Sequence, residues 1–314
     1  MRAAVLLALT FAAGCTGEVE QQIGLFEPIR VPDGELLDDE PPLAEAGPKV
    51  TSLDTSSGIL TVGQRDRLLS GRTADDAHAI AVRFAGLGSG WWVRPVQDRN
   101  PMFPGERDFQ LRHDIGGGAP PGVHTLLLAA IDEAGRRGPA FELEVCVRDD
   151  GLPDNLNACD AAIPPPALVI TLEWDQDVDL DLVVETPAGK KIGHATPTSG
   201  QKVETEVPAG VVKDPSTGRL VRDSNAGCAI DGRNSESVVF QEPPARGTYL
   251  IYADLYDACG APGTLFSAAV YRRVERDDGT FALVEDARTG GALVDLQATG
   301  GGQTPLYVMA SKQP

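Results

Sequence analysis

Aromatic residues are scarce in this chain, 5% of 314 positions, and no row of tryptophans marks a set of sugar subsites. Positive charge is scarcer still relative to negative: 27 Lys and Arg stand against 46 Asp and Glu, a formal charge of −19. That deficit excludes nucleic acid, whose phosphates need Lys and Arg, and it excludes a peripheral hold on anionic lipid. Apolar runs are short; the longest, Ala3 to Ala13, falls well below the roughly 20 residues that span a bilayer. There is no Cys-x-x-Cys pair, and His78, His113, His124 and His194 are scattered, which argues against zinc. No nucleophile elbow, phosphate loop or HExxH segment occurs. Helical periodicity is also missing; the one weak candidate, around Ala74–Ala85, reads equally as a strand.

What is abundant is punctuation. Thirty-five glycines and 24 prolines suit short strands joined by many turns. At the front, Arg2, the run Ala3 to Ala13 and then Gly14-Cys15 form a leader of the bacterial lipoprotein type, with Cys15 as the acylated new N-terminus. An ordinary secretory signal cut near Ala13 would instead leave Cys15 as a free thiol. Both readings export the chain. Thr16 after the cysteine, rather than Asp, resembles the signal that passes a lipoprotein to the outer membrane, on its periplasmic face or at the cell surface. With Cys15 consumed by lipid, Cys146, Cys159, Cys228 and Cys259 remain, an even set in an oxidising compartment. Three pairings are possible. Proximity favours Cys146–Cys159 and Cys228–Cys259, each worth roughly 3–4 kcal/mol by loop closure.

The expected fold class is all-β, two tandem β-sandwich domains after a disordered lipoprotein tether. Residues 1–15 are the signal; 16–47 form an acidic, Pro-containing tether that could reach roughly 90 Å if extended. A first sandwich is expected over 48–147, with strands at Lys49–Leu53, Ile59–Val62, Ala79–Phe84, Trp91–Pro95, Phe109–His113, His124–Asp132 and Phe141–Val147. Its stretch Gly122 to Gly135 resembles the penultimate strand and turn of bacterial immunoglobulin-like domains. A second acidic linker, 148–166, carries Pro164-Pro165-Pro166. The second sandwich fills 167–314, with strands at Leu168–Trp174, Val178–Glu185, Ser237–Gln241, Gly247–Tyr256 and Leu265–Arg273. Phe281–Glu285, Ala292–Gln297 and Leu306–Met309 would complete it, and most of Lys190–Arg233 should be loop.

The second domain carries a resemblance. Trp174-Asp175-Gln176-Asp177-Val178-Asp179-Leu180-Asp181-Leu182-Val183-Val184 is followed by Thr186-Pro187-Ala188-Gly189. Then come Asp223-Ser224-Asn225-Ala226-Gly227-Cys228, Asp231-Gly232, Glu236-Ser237-Val238 and Pro244-Ala245-Arg246-Gly247-Thr248-Tyr249-Leu250-Ile251. In this order the segments resemble the YfaP-like β-sandwich modules of exported bacterial proteins, including lipoproteins of the myxobacterial type. The resemblance spans about 100 residues and implies a fold and a setting rather than an activity. The acidic strand is also similar, more distantly, to tellurium-resistance-type calcium-binding domains.

The aspartates can be read without that resemblance. In a strand, Asp175, Asp177, Asp179 and Asp181 share one face with neighbours about 7 Å apart. Four such carboxylates repel one another, and a bound Ca²⁺, which takes six to eight oxygen ligands, would compensate. Asp223, Asn225, Asp231 and Glu236 could add oxygens from the facing loop. An EF-hand is excluded, since Leu180 stands where that loop needs glycine and Thr186 where it needs glutamate. The competing reading puts Asp175 and Asp177 in a turn and Asp179 and Asp181 on a solvated face, with Leu180, Leu182 and Val184 in the core. Trp91-Trp92 should split between core and surface, an exposed ring being free to stack on sugar or a partner; His113 and His124 read as ordinary strand residues. The chain is thus expected to be a non-catalytic envelope module that binds a protein or glycan, stabilised by calcium and tethered by its lipid. The alternatives are a hydrolase using paired carboxylates on envelope glycan or protein, or a passive spacer.

Overall fold

The computed structural model describes residues 24–54, 58–149, 159, 163–200, 216–294, 296 and 304–314. The signal segment, Cys15 and the first part of the expected tether lie outside the described residues, as does 201–215 of the long loop. The chain is all-β and builds two sandwiches, each from a pair of facing sheets. Among the described residues no helix is long and apolar enough to cross a membrane.

The first sandwich is assembled from β1 (Ile29–Arg30), β2 (Glu35–Leu37), β3 (Val50–Asp54), β4 (Ile59–Thr61), β5 (Arg67–Ala74), β6 (Ala79–Phe84), β7 (Trp91–Pro95), β8 (Glu106–Ile115), β9 (Gly122–Ile131) and β10 (Phe141–Arg148). One sheet runs β1-β8-β5-β3; the other runs β2-β7-β6-β9-β10-β4. β8 shows why the pattern closes: Phe109, Leu111, His113 and Ile115 point inward while Gln110 and Arg112 face water. β6 is buried on both faces and is apolar except at Arg83. The sandwich starts before residue 48, which corrects the expected tether. β1 pairs with the end of β8 and β2 with β7, and the Trp92 indole N–H donates to the Ile29 carbonyl at 2.7 Å. Both tryptophans are buried, so neither offers a ring to a ligand. Trp92 joins the main core, whereas Trp91 packs on the opposite face with Ala79, Ala81, Ala129 and Ile131.

The second sandwich uses β11 (Leu168–Trp174), β12 (Asp179–Glu185), β13 (Lys191–Ile192), β14 (Arg219–Leu220), β15 (Ser235–Phe240), β16 (Gly247–Asp257), β17 (Gly263–Glu275), β18 (Phe281–Val294) and β19 (Leu306–Gln313). Its sheets run β14-β15-β11-β17-β18 and β13-β12-β16-β19. Leu168, Ile170 and Leu172 of β11 meet Leu180, Leu182 and Val184 of β12 and Ile251 of β16 between the sheets. The disulfides are Cys146–Cys159 and Cys228–Cys259, with Cα–Cα separations of 5.3 and 5.5 Å.

The outer face of β11 explains how the sandwiches meet. Val169 points away from Leu168 and Ile170, and with Val239, Ala269, Tyr271 and Leu283 it joins the core of the first sandwich. Polar groups close the rim of this seam. Glu173 accepts the Gly117 N–H at 2.7 Å, and Glu27 accepts both the N–H and hydroxyl of Ser89 at 2.9 and 2.8 Å. Arg288 donates to the Phe26 carbonyl, the Tyr271 hydroxyl and Glu285 at 2.7, 3.0 and 2.8 Å. The linker is held too: Asp149 pairs with Arg222, and Arg273 donates to the Pro165 carbonyl.

Candidate metal centre

β12 is a strand with two buried faces. Its odd positions carry Asp179 and Asp181, each only 2% exposed. The solvated-face reading of these two residues is therefore corrected: the loop between β14 and β15 lies over them. The loop's arrangement follows from its hydrogen bonds. The Asn225 side-chain amide donates to the Val178 carbonyl at 2.9 Å and to Asn234 at 2.8 Å, and the Gly227 N–H donates to Asp179 at 2.6 Å. β13 pairs with β12 only at Val184 and Glu185. The Leu182 N–H donates instead to buried Glu236 at 2.7 Å, whose other oxygen accepts the Ser224 N–H at 3.0 Å.

Across the ladder the like charges continue. Asp181 stands opposite Asp254 and Asp179 opposite Asp257, with a bulge between Asp179 and Leu180. Directly opposed residues of antiparallel strands share a face, and like charges there are destabilising. The loop adds Asp223, so that one carboxylate oxygen each from Asp179, Asp181 and Asp223 lies within 4.8 Å of the others. Oxygens sharing one Ca²⁺ at about 2.4 Å stand at most about 4.8 Å apart. Among the described residues no donor is aligned for a hydrogen bond to the buried Asp181 Oδ2. The ring Nδ1 of His194 comes within 3.1 Å of it. Burial raises the Asp181 carboxyl well above the usual carboxylate range; His194 opposes the rise, and Asp179, Asp223 and Asp254 add to it. Burial likewise raises Asp179, Asp254 and Glu236, although N–H donors to Asp179 and Glu236 oppose the shift.

The remaining expected ligands do other work. Asp175 Oδ1 accepts the Leu265 N–H at 2.7 Å and the Thr264 hydroxyl at 3.0 Å, fixing to β17 the turn that leaves β11. Asp177 is exposed in the turn between β11 and β12. Asn225 and Asp231 shape the loop: Asp231 takes the Ser224 hydroxyl at 3.0 Å and gives its own N–H to Asn225. Of the eight expected ligands the structure brings together three, Asp179, Asp181 and Asp223. Sequence reasoning missed Asp254 and His194. The alternation of Asp254 with Ala253 and Leu255 was a usable signal, but the register that sets it beside Asp181 was not. Cys228, Cys259 and Asp257 also lie close together; with the sulfurs joined in a disulfide they offer no thiolate. His113 and His124 are buried in the first sandwich, both pushed down to about 4 chiefly by burial, and so are neutral.

No family model matches the chain, and no curated protein matches it. Solved structures give distant likenesses. One is to fibronectin(III)-like modules of CbhA from Clostridium thermocellum, at 11% identity, covering 80% of this chain and 95% of that one, TM-score 0.19. Another is to a tandem repeat from the extending region of a large adhesion protein, at 11% identity over 90% and 74% of the two chains, TM-score 0.20. BcpA, the major pilin subunit of Bacillus cereus, follows at 13% identity over 79% and 67%, TM-score 0.19.

Proposed function

We propose that this chain is an exported, non-catalytic interaction module of the cell envelope whose second sandwich is completed by a calcium ion. The observation that carries the reading is the Asp181 oxygen, buried, with His194 Nδ1 at 3.1 Å as its one polar neighbour of opposite character among the described residues, and within 4.8 Å of carboxylate oxygens from Asp179 and Asp223. An acidic cluster on a wet surface needs no counter-ion. A carboxylate held out of water among three others does, because one imidazole beside it cannot offset their combined charge and burying an uncompensated charge costs several kcal/mol. The donors are hard oxygens, which suit Ca²⁺. With exposed Asp223 as the outermost ligand, the site belongs with the weak sites of extracellular modules, Kd about 0.1–1 mM.

Calorimetry of the full chain tests this. At 10 mM calcium and a Kd near ~0.3 mM, linkage gives about 2 kcal/mol of added stability. The expected result is a calcium-dependent heat and a raised Tm, both lost in Asp181→Asn. No heat and an unmoved Tm in the wild type overturn the reading.

Export is supported by both disulfides and by the leader. Because the sandwich begins by Ile29, a lipid on Cys15 would hold it within roughly 50 Å of the bilayer, at about 3.5 Å per extended residue. The expected result is that labelled fatty acid enters the wild-type chain and not Cys15→Ser. The partner is an envelope protein or glycan, sought by affinity capture from the native host.

A further inference from the structure

The loop that brings Asp223 to the strand face, residues 221–234 between β14 and β15, has a backbone that its sequence does not favour. Asn225, Gly227 and Cys228 sit at φ of 61°, 58° and 63°, and Cys259 on the facing turn at 49°. Asn and Gly tolerate the left-handed region, whereas it is uncommon for cysteine. A loop bent this way needs a hold from outside itself. Ser224 and Asn225 are tied to Glu236 and Val178, and two further holds reach the left-handed turn at Gly227. One is the Gly227 N–H to Asp179, at 2.6 Å. The other is the Cys228–Cys259 disulfide, which closes a sequence separation of 31 and ties the loop to the turn after β16. That turn is itself keyed to the site: Asp257 accepts the Cys259 N–H at 2.8 Å and lies opposite Asp179 in the ladder.

We propose that the Cys228–Cys259 disulfide positions the cation site, so that the site becomes competent only once this bond has formed. The inference rests on the cation reading above and adds its dependence on oxidation. Forming the bond converts two thiols into one S–S link, with two protons and two electrons passing to a disulfide-bearing oxidant. Before it forms, the left-handed turn relaxes, the Gly227 N–H leaves Asp179, and Asp223 is no longer held beside Asp179 and Asp181. Cytosolic thiol conditions then leave the chain without its calcium site, and export supplies it.

The test compares calcium affinity by calorimetry in three forms of the full chain: oxidised wild type, C228S/C259S, and C146S/C159S. The second pair removes the disulfide that joins β10 to the linker. Supporting groups around metal ligands are worth 10–100-fold in affinity, so C228S/C259S should bind calcium at least about ten-fold more weakly, with C146S/C159S within about two-fold of wild type. Far-UV circular dichroism and the calcium-free Tm report whether each variant folds. Should C228S/C259S fail to fold, C146S/C159S reduced with a dithiol while folded gives the same comparison. Equal affinity with and without the Cys228–Cys259 bond overturns the positioning role while leaving the site intact. No calcium heat from the oxidised wild type overturns the cation reading and this inference together. An equal loss in C146S/C159S shows a general destabilisation and overturns the specific role.

Discussion

At the scale of single residues, Asp181 and Glu236 show two ways of keeping a buried acid. Glu236 has backbone donors on both oxygens, from Leu182 and Ser224. Glu236→Ala would strip both N–H groups of their partner, and a stranded buried donor costs about 1–3 kcal/mol. Urea unfolding should therefore show a loss of about 2–4 kcal/mol, and a change below about 0.5 kcal/mol would contradict it. Asp181 has only the His194 ring nitrogen near its buried oxygen, against the like charges of Asp179, Asp223 and Asp254, so removing its charge has the opposite sign in the absence of metal. Asp181→Asn is expected to raise the Tm of the calcium-free protein while abolishing the calcium-dependent rise. A fall in the calcium-free Tm would show that the negative charge is stabilising as it stands.

At the scale of elements, β5 shows how a strand can hide from a pattern reading. Its sequence, Arg67 to Ala74, has Leu68 and Leu69 adjacent and Gly71 in the middle, which reads as a break. The structure gives the reason for the glycine: a Cβ there would lie 2.2 Å from the Ser52 carbonyl oxygen and 2.9 Å from the Phe109 ring. Gly71→Ala should therefore push β3 away from β5 and cost about 1–3 kcal/mol, measurable by thermal unfolding; an unchanged Tm would mean that β3 yields freely. β1 and β2 were hidden differently. Their surroundings, Glu27, Asp33, Glu35, Asp38 and Asp39, carry the composition of a solvated tether. Yet Ile29, Val31 and Leu36 find apolar partners only because β7 and β8 present an open edge.

At the scale of the molecule, the seam makes the two sandwiches one unit, and its charge is unbalanced. Glu27, Glu173 and Glu285 face one guanidinium, Arg288, with the Tyr271 hydroxyl between them. Burial pushes Glu173 up to about 7 from an ordinary 4.5, against the N–H groups of Gly117 and Gly118 and the charge of Arg288. A raised carboxyl binds its proton in the folded state where the unfolded chain has lost it. Its contribution to stability is thus full below about 4.5, declines as pH rises toward 7, and is gone above that. Denaturant midpoints from pH 4.5 to 8, in calcium-free buffer, should fall more steeply for wild type than for Glu173→Gln. Parallel profiles would remove Glu173 from the seam's pH response.

Alternation, composition and covalent chemistry are legible in the chain before it folds. β6, β7 and β11 fall on their expected bounds because apolar runs between turn residues leave a strand few other places to lie. The disulfide pairing that proximity favours is the one present, short loops closing most readily. Asp179 and Asp181 were legible as a same-face pair for the same periodic reason. What that face meets is settled by packing between distant segments. Burial of the aspartates, the choice of Asp223 over Asn225 and Asp231, and the arrival of Asp254 and His194 all depend on cross-strand register and on one long loop folding back. The seam is likewise invisible in sequence, because Val169, Tyr271 and Leu283 read as one domain's strand residues until a second sandwich covers them. Periodicity assigns a side chain to a face; what covers that face is set by contacts between segments far apart in the chain.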